Sequence, residues 1–138
     1  MEYRVILYHK QASSARTRFL KFSHDSVCAF TGIPRLARLM EGRTTNMVVH
    51  PSAVLREVES RLGLVGGSLK AETEYRQHVS VPGGNIQIIL ACIDTLDPPF
   101  EAAEQVDARF IDLTQSRGLP QIEMELLRHA YELVMGGY

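Results

Sequence analysis

The chain has 138 residues, of which 45% are hydrophobic and 22% are charged, a composition that fits one globular domain over residues 1–138. The net charge of −1 excludes a global electrostatic field that would select a polyanion or a membrane surface. The two cysteines have no metal-type spacing, and the N-terminus is charged and strand-like, which predicts a reduced cytoplasmic protein. The apolar runs are too short to cross a bilayer, so no membrane partner is expected.

The first 40 residues are predicted to begin with a β-hairpin. β-Branched and aromatic residues over 3–9 predict a strand, and residues 17–22 predict its partner after a small polar loop. Residues 29–32 indicate a short strand that ends in a turn. Apolar residues have helical spacing over 34–40, so a short helix and a loop both remain open for that segment.

The clearest helix is predicted over residues 51–62. Pro51 suits the first helical position, and Gly63 suits the residue that ends a helix. One side of this helix carries an apolar stripe at helical spacing, formed by Val54, Leu55, Val58 and Leu62. The opposite side is polar and consists of Arg56, Glu57, Glu59, Ser60 and Arg61.

The second half of the chain is predicted to add further strands and a final helix. Residues 68–81 are extended and polar, and 82–85 form a hairpin turn. Residues 86–94 form the most apolar strand, which is expected to be central and covered on both faces. A strand over 107–113 and an amphipathic helix over 120–135 follow. The order of strands, helix, strands and helix predicts a mixed sheet packed between helices.

Residues 56–64 read Arg-Glu-Val-Glu-Ser-Arg-Leu-Gly-Leu, and this stretch resembles the end of a Nudix box with most of its carboxylates replaced. The Nudix family hydrolyses nucleoside diphosphates linked to another moiety. In this frame the first Glu of the box falls on Val48, and the Glu-Glu pair falls on Ser60 and Arg61. The opening Gly falls on Gly42 by spacing, although the strand before Gly32 favours that glycine as the turn. The resemblance implies an α/β Nudix-like α/β/α sandwich with a mixed β-sheet.

The resemblance also implies a degenerate metal site. Positions i, i+3 and i+4 share a helical face, so Glu57, Ser60 and Arg61 face the place where the family holds Mg²⁺ or Mn²⁺. Glu57 is the one carboxylate left, and Arg61 is expected to pair with it. We therefore expect a hydrolase that is weak or inactive, and a site that binds a nucleotide or other phosphorylated small molecule. In that hypothesis Arg61 replaces the metal charge, with Arg56 and Arg43 as further phosphate-binding residues.

Two alternatives remain. An active metal-dependent hydrolase would use Glu57 as catalytic residue and metal ligand, with Glu101, Glu104 or Asp107 completing a Mg²⁺ or Mn²⁺ site. Glu59 is expected to miss that site, because one residue corresponds to a rotation of about 100° around a helix. The other alternative is a structural or interaction module, for instance a homodimer. Nucleic acid is not favoured as a partner, because aromatic residues do not pair with the basic ones in an RNA-binding strand motif.

Overall fold

A mixed β-sheet of eight strands forms the centre of the chain in the computed structural model, which describes residues 2–40 and 51–136. The strands are β1 (Glu2–Lys10), β2 (Thr17–Lys21), β3 (Cys28–Ala29), β4 (Arg38–Leu39), β5 (Leu69–Ala71), β6 (Gln77–Val81), β7 (Gly84–Ile93) and β8 (Arg109–Ile111). The helices are α1 (Pro51–Leu62), α2 (Phe100–Gln105) and α3 (Gln121–Gly136), and a short 3-10 turn covers Leu113–Gln115.

The strand order confirms the mixed sheet that the sequence predicts. The order is β4-β6-β7-β1-β2-β8, with β3 beside β1 and β5 beside β7. β1 and β7 run parallel, with Val5 opposite Ile89, and the other neighbours are antiparallel. The apolar strand predicted over 86–94 is β7, and it lies inside the sheet as expected.

Alternating side chains of the two central strands form two hydrophobic cores on opposite faces of the sheet. Val5 and Ile89 belong to the core that also contains the apolar stripe of α1 and part of α2. Ile6 and Leu90 belong to the other core, together with α3. Each fully buried side chain of this size contributes about 1.5–3 kcal/mol of hydrophobic stabilisation. The sheet therefore lies between α1 and α2 on one face and α3 on the other.

The end of α1 shows why its boundary was predictable. Gly63 has a φ of 69°, in the left-handed region that glycine adopts without a Cβ penalty. The backbone N–H of Gly63 donates to Ser60 O at 3.2 Å, and that of Leu64 donates to Glu59 O at 2.9 Å. These two bonds form a Schellman motif, which satisfies carbonyls that the last turn of the helix leaves open.

Three segments differ from the sequence prediction. Residues 34–40, for which a short helix and a loop were both open, contain the short strand β4, because Arg38 and Leu39 pair with β6. The short strand expected over 29–32 lies at Cys28–Ala29, where it pairs with β1. Helix α2 was not predicted, and the strand after it is limited to Arg109–Ile111.

The predicted turn between β6 and β7 is confirmed. Val81 pairs with Gly84, so Pro82 and Gly83 form a two-residue hairpin loop. Gly83 has a φ of 91°, which explains why glycine occupies this position. Among the described helices, none has the length and apolar character needed to cross a membrane.

Candidate functional site

A cleft of about 160 Å³ opens where the start of β1, the chain following β3 and the polar side of α1 meet. Its lining includes one carboxylate, one phenol, two arginines and one partly buried aromatic residue. The lining residues are Tyr3, Arg4, Ala29, Phe30, Thr31, Glu57, Val58 and Arg61.

The sheet and the core place these elements side by side. β3 pairs with β1 through Ala29 and Val5, so Phe30 follows directly beside the first residues of the chain. Val58 of α1 packs in the same hydrophobic core as Val5. Tyr3 lies two residues before Val5 in β1 and therefore faces the same side of the sheet as α1. The polar side of α1 consequently meets the N-terminal end of β1.

Glu57 occupies one side of the cleft and is held by a phenol. The Tyr3 hydroxyl donates to Glu57 Oε2 at 3.3 Å. Burial, and then the neighbouring Glu57 carboxylate, raise the pKa of Tyr3 above its usual value. The phenol is therefore a stable hydrogen-bond donor to Glu57 at neutral pH.

Arg61 lies over an aromatic face. Its guanidinium carbon is 3.8 Å from the centroid of the Phe30 ring, a close cation–π contact. The ion pair expected between Arg61 and Glu57 is not among the ion pairs of residues 2–40 and 51–136, so that expectation was wrong. An exposed pair at i, i+4 contributes only about 0.3–0.5 kcal/mol. A stacked guanidinium contributes about 0.5–1 kcal/mol at an exposed site, which favours Phe30 as the partner.

Arg4 also lines the cleft, and it was not predicted as a site residue from the sequence. The side chain is nearly buried, with 9% of the residue exposed. Its Nε donates to Gly32 O at 3.3 Å, and its Nη1 donates to Tyr3 O at 2.9 Å and to Glu2 Oε2 at 3.3 Å. These bonds occupy Arg4 Nε and Nη1, and the ion pair with Glu2 balances the charge of Arg4. Because side chains alternate along a strand, the side chain of Arg4 faces the side of the sheet opposite that of its neighbour Tyr3. Arg61 is therefore the cation that faces Glu57 along α1.

Several residues expected at the site lie elsewhere. Arg56 is exposed on α1 and does not line the cleft. Glu101 and Glu104 are exposed on α2, and Asp107 is exposed just after it. Within the described residues, no group of three or more His, Cys, Asp or Glu side chains is arranged to hold a metal ion.

The expected set of Glu57, Glu101 and Glu104 is therefore not assembled. Its two α2 carboxylates are absent from the lining of the cleft that contains Glu57. Three positions upstream of α1 lie outside the described residues. They are the box positions Gly42 and Val48 and the expected phosphate-binding residue Arg43.

Glu59 faces away from the cleft, as the helical rotation predicts. The residue is 4% exposed, and its Oε2 accepts bonds from Gly67 N at 3.0 Å and from Leu69 N at 2.9 Å. This carboxylate ties α1 to the start of β5. The polar side of α1 is thus divided between a structural carboxylate and the cleft residues Glu57 and Arg61.

Comparison of the chain with models of known protein families and with curated proteins finds no match. The chemistry of the cleft rests on its own groups. Guanidinium groups present N–H donors in a planar fork that fits phosphate or carboxylate oxygens. A carboxylate accepts hydrogen bonds only. The arrangement suits the binding of an anion that also carries a donor.

Proposed function

We propose that this chain is a Nudix-like domain that binds a nucleotide or other phosphorylated small molecule without a metal ion, and that it hydrolyses such ligands weakly or not at all. The observation that supports this most is that Arg61 lines the same cleft as Glu57 and forms no ion pair with it. A mixed sheet between helices, with the box-like helix α1 at the cleft, is in keeping with the Nudix-like architecture.

The lining of the cleft offers few of the oxygen ligands that a dication needs. Arg61 places a positive charge where a metal ion would need oxygen ligands, and Mg²⁺ requires hard oxygen donors in near-octahedral geometry. Glu57 is the single carboxylate in the lining, and its Oε2 already accepts the Tyr3 hydroxyl. A phosphate group can instead accept charge-assisted bonds from the Arg61 guanidinium, each worth about 1.5–3 kcal/mol.

Calorimetric titration in EDTA tests the proposal. Nucleoside di- and triphosphates are expected to bind the wild-type protein without metal. Arg61→Gln is expected to weaken binding by about tenfold to a hundredfold, because it removes a charge-assisted bond of about 1.5–3 kcal/mol. Arg56→Gln is the matched control, since Arg56 is an exposed arginine of the same helix outside the cleft.

The proposal fails if no ligand binds in EDTA, if binding strictly requires Mg²⁺, or if Arg56→Gln weakens binding as much as Arg61→Gln. A pyrophosphate-release assay with Mg²⁺ and with Mn²⁺ completes the test, and little or no turnover is expected. Efficient turnover that is lost in Glu57→Gln would replace the proposal with the metal-dependent hydrolase. Absence of both binding and turnover would favour a structural or interaction module.

A further inference from the structure

We infer that the surface formed by α2 and the chain that leads into it is a docking site for a basic amphipathic segment of another protein. The apolar side chains of that segment would pack on Phe100 and the apolar residues beside it, and its Lys or Arg side chains would meet the surrounding carboxylates. This inference is independent of the proposed function, because no residue of α2 lines the cleft that contains Glu57 and Arg61.

Phe100 is a half-exposed aromatic residue at the start of α2. It keeps 52% of its surface exposed, and its ring meets the ring of Phe110 edge to face, with 5.7 Å between the centroids. Phe110 in turn lines a small apolar depression, the α2 depression, together with Leu64, Pro99 and Ala102. The exposed ring therefore lies beside an apolar depression between the end of α1, α2 and β8.

Further apolar side chains are exposed on the two chain segments that enter the α2 depression. Val65 follows Leu64 directly and is largely exposed. Leu96 is three residues before Pro99 and is also largely exposed. Single exposed apolar residues are common, but several beside an apolar depression are typical of a surface that binds another protein.

The same surface is acidic. Residues 94–107 contain five carboxylates and no Lys or Arg. All five are exposed, namely Asp94, Asp97, Glu101, Glu104 and Asp107. Among the ion pairs of residues 2–40 and 51–136, only a contact of 4.0 Å between Lys70 and Asp94 involves one of them. Glu104 is four residues after Phe100, so these two side chains share one side of α2. Carboxylates around apolar side chains favour a partner whose charged residues are Lys and Arg.

Arg18 shows that the Phe100 ring accepts a cation. Its guanidinium carbon is 6.0 Å from the ring centroid, at the outer end of the range for a cation–π contact. Arg18 belongs to β2 and takes part in none of the ion pairs of the described chain. One arginine near five carboxylates leaves the surface acidic, so its charge still favours a basic partner.

The charge also disfavours a second copy of the chain in this position. A symmetric dimer brings the same surface of both copies together, so the carboxylates of α2 would face each other. A basic amphipathic helix instead presents apolar side chains at i, i+3, i+4 and i+7 to an apolar groove and flanks them with Lys and Arg. Such a segment matches both the apolar and the acidic residues of the surface.

Fluorescence anisotropy with three labelled peptides tests the inference. The first repeats Leu-Lys-Lys-Leu-Leu-Lys-Leu twice and forms a helix with an apolar side and a basic side. The second has glutamate in place of every lysine, and the third has the composition of the first in an order that spreads leucine around the helix. We expect the wild-type protein to bind the first peptide about tenfold more tightly than either of the others, and added salt should weaken this binding.

Two variants at the surface are compared with two matched variants elsewhere. Phe100→Ala removes the exposed ring and should weaken binding of the first peptide by about tenfold. Leu36→Ala removes a largely exposed apolar side chain near β4, at the opposite edge of the sheet from β8, and should leave binding unchanged. Glu104→Gln should weaken binding by about twofold to fivefold, as is usual for an exposed ion pair. Glu132→Gln removes an exposed carboxylate of α3 and should have no effect.

Loss of binding in both surface variants, with unchanged binding in both controls, supports the inference. Far-UV circular dichroism verifies folding, and because Glu104 is exposed its variant is expected to fold even if Phe100→Ala does not. No binding of the first peptide, equal binding of either other peptide, or equal weakening by the control variants would overturn the inference.

Sedimentation of the protein alone examines a second copy as the occupant. Self-association that Phe100→Ala abolishes would also overturn the inference, because a second copy would then cover the surface. A monomer at the concentrations used for the peptides is expected. None of these outcomes bears on the proposed function, which depends on phosphate binding at Arg61.

Discussion

Replacing Glu59 with alanine is expected to lower the free energy of unfolding by about 2–4 kcal/mol, although Glu59 lies on the polar side of α1. The Glu59 side chain is buried and accepts two backbone N–H groups, those of Gly67 and Leu69. These bonds fix the chain between α1 and β5. Alanine removes the acceptor and leaves both donors without a protein partner.

The magnitude follows from the surroundings of the two donors. Leu69 is 6% exposed, so its unpaired N–H costs about 1–3 kcal/mol, the usual penalty for a buried donor without a partner. Gly67 is exposed and can bond to water, so its loss is nearer the net value of a hydrogen bond, about 0.5–1.5 kcal/mol. Glu59→Gln keeps an oxygen acceptor and loses only the charge assistance, so a loss of about 1 kcal/mol is expected.

Urea denaturation followed by circular dichroism measures these differences, provided that the m-value is unchanged. Glu57→Ala is the matched control, because it removes an exposed carboxylate two residues away on the same helix. Its effect should stay within about 0.5 kcal/mol, as is usual at exposed positions. A loss below about 1 kcal/mol for Glu59→Ala, or an equal loss for Glu57→Ala, would refute the structural role of Glu59.

Two further predictions concern the β6–β7 turn and the response to alkali. Gly83→Ala should destabilise the fold by about 1 kcal/mol, because Gly83 has a φ of 91°. Gly84→Ala is the control, since Gly84 is equally free of close neighbours and has no positive φ, and it should lower the urea midpoint by less. Equal effects of the two variants would contradict the turn geometry. Burial raises the pKa of Tyr8 and of Tyr75, and Tyr8 is also bonded to Glu72. A tyrosine in the unfolded chain ionises near pH 10, whereas these buried phenols stay neutral to higher pH. The free energy of unfolding is therefore unaffected by their ionisation below about pH 10, and it falls above that pH by about 1.4 kcal/mol per pH unit for each tyrosine. Urea midpoints at several alkaline pH values should show Tyr75→Phe with a shallower decline than the wild type, and an unchanged slope would count against the buried neutral phenol.

The elements that the sequence predicts well are those with a strong apolar pattern. β1, β2, β7, α1 and α3 each carry such a pattern over enough residues to distinguish strand from helix. α2 has only six residues, which is too short for a helical pattern to be recognised from the sequence. β4 has only two residues and forms by pairing with β6, which no local pattern indicates. Short elements depend on tertiary contacts more than on local sequence.

Only the α1 residues of the candidate site could be predicted from the sequence, because the other lining residues reach the cleft through tertiary contacts. Glu57 and Arg61 lie one helical turn apart, so spacing alone places them on one face. Tyr3, Arg4 and Phe30 belong to segments far away along the chain, and only the pairing of β3 with β1 and the packing of α1 bring them to the cleft. The expected Glu57–Arg61 pair did not form because each residue has another partner, a phenol and an aromatic ring.

The proposed function requires that a phosphate group binds Arg61 in the cleft without a metal ion. NMR titration of the arginine side-chain Nε–Hε signals with a nucleoside diphosphate in EDTA tests this requirement directly, because each arginine has its own signal. A saturable shift of the Arg61 signal is expected, together with an unchanged Arg56 signal, because Arg56 lies outside the cleft. Shifts confined to arginines outside the cleft, or shifts that appear only after Mg²⁺ is added, would contradict it.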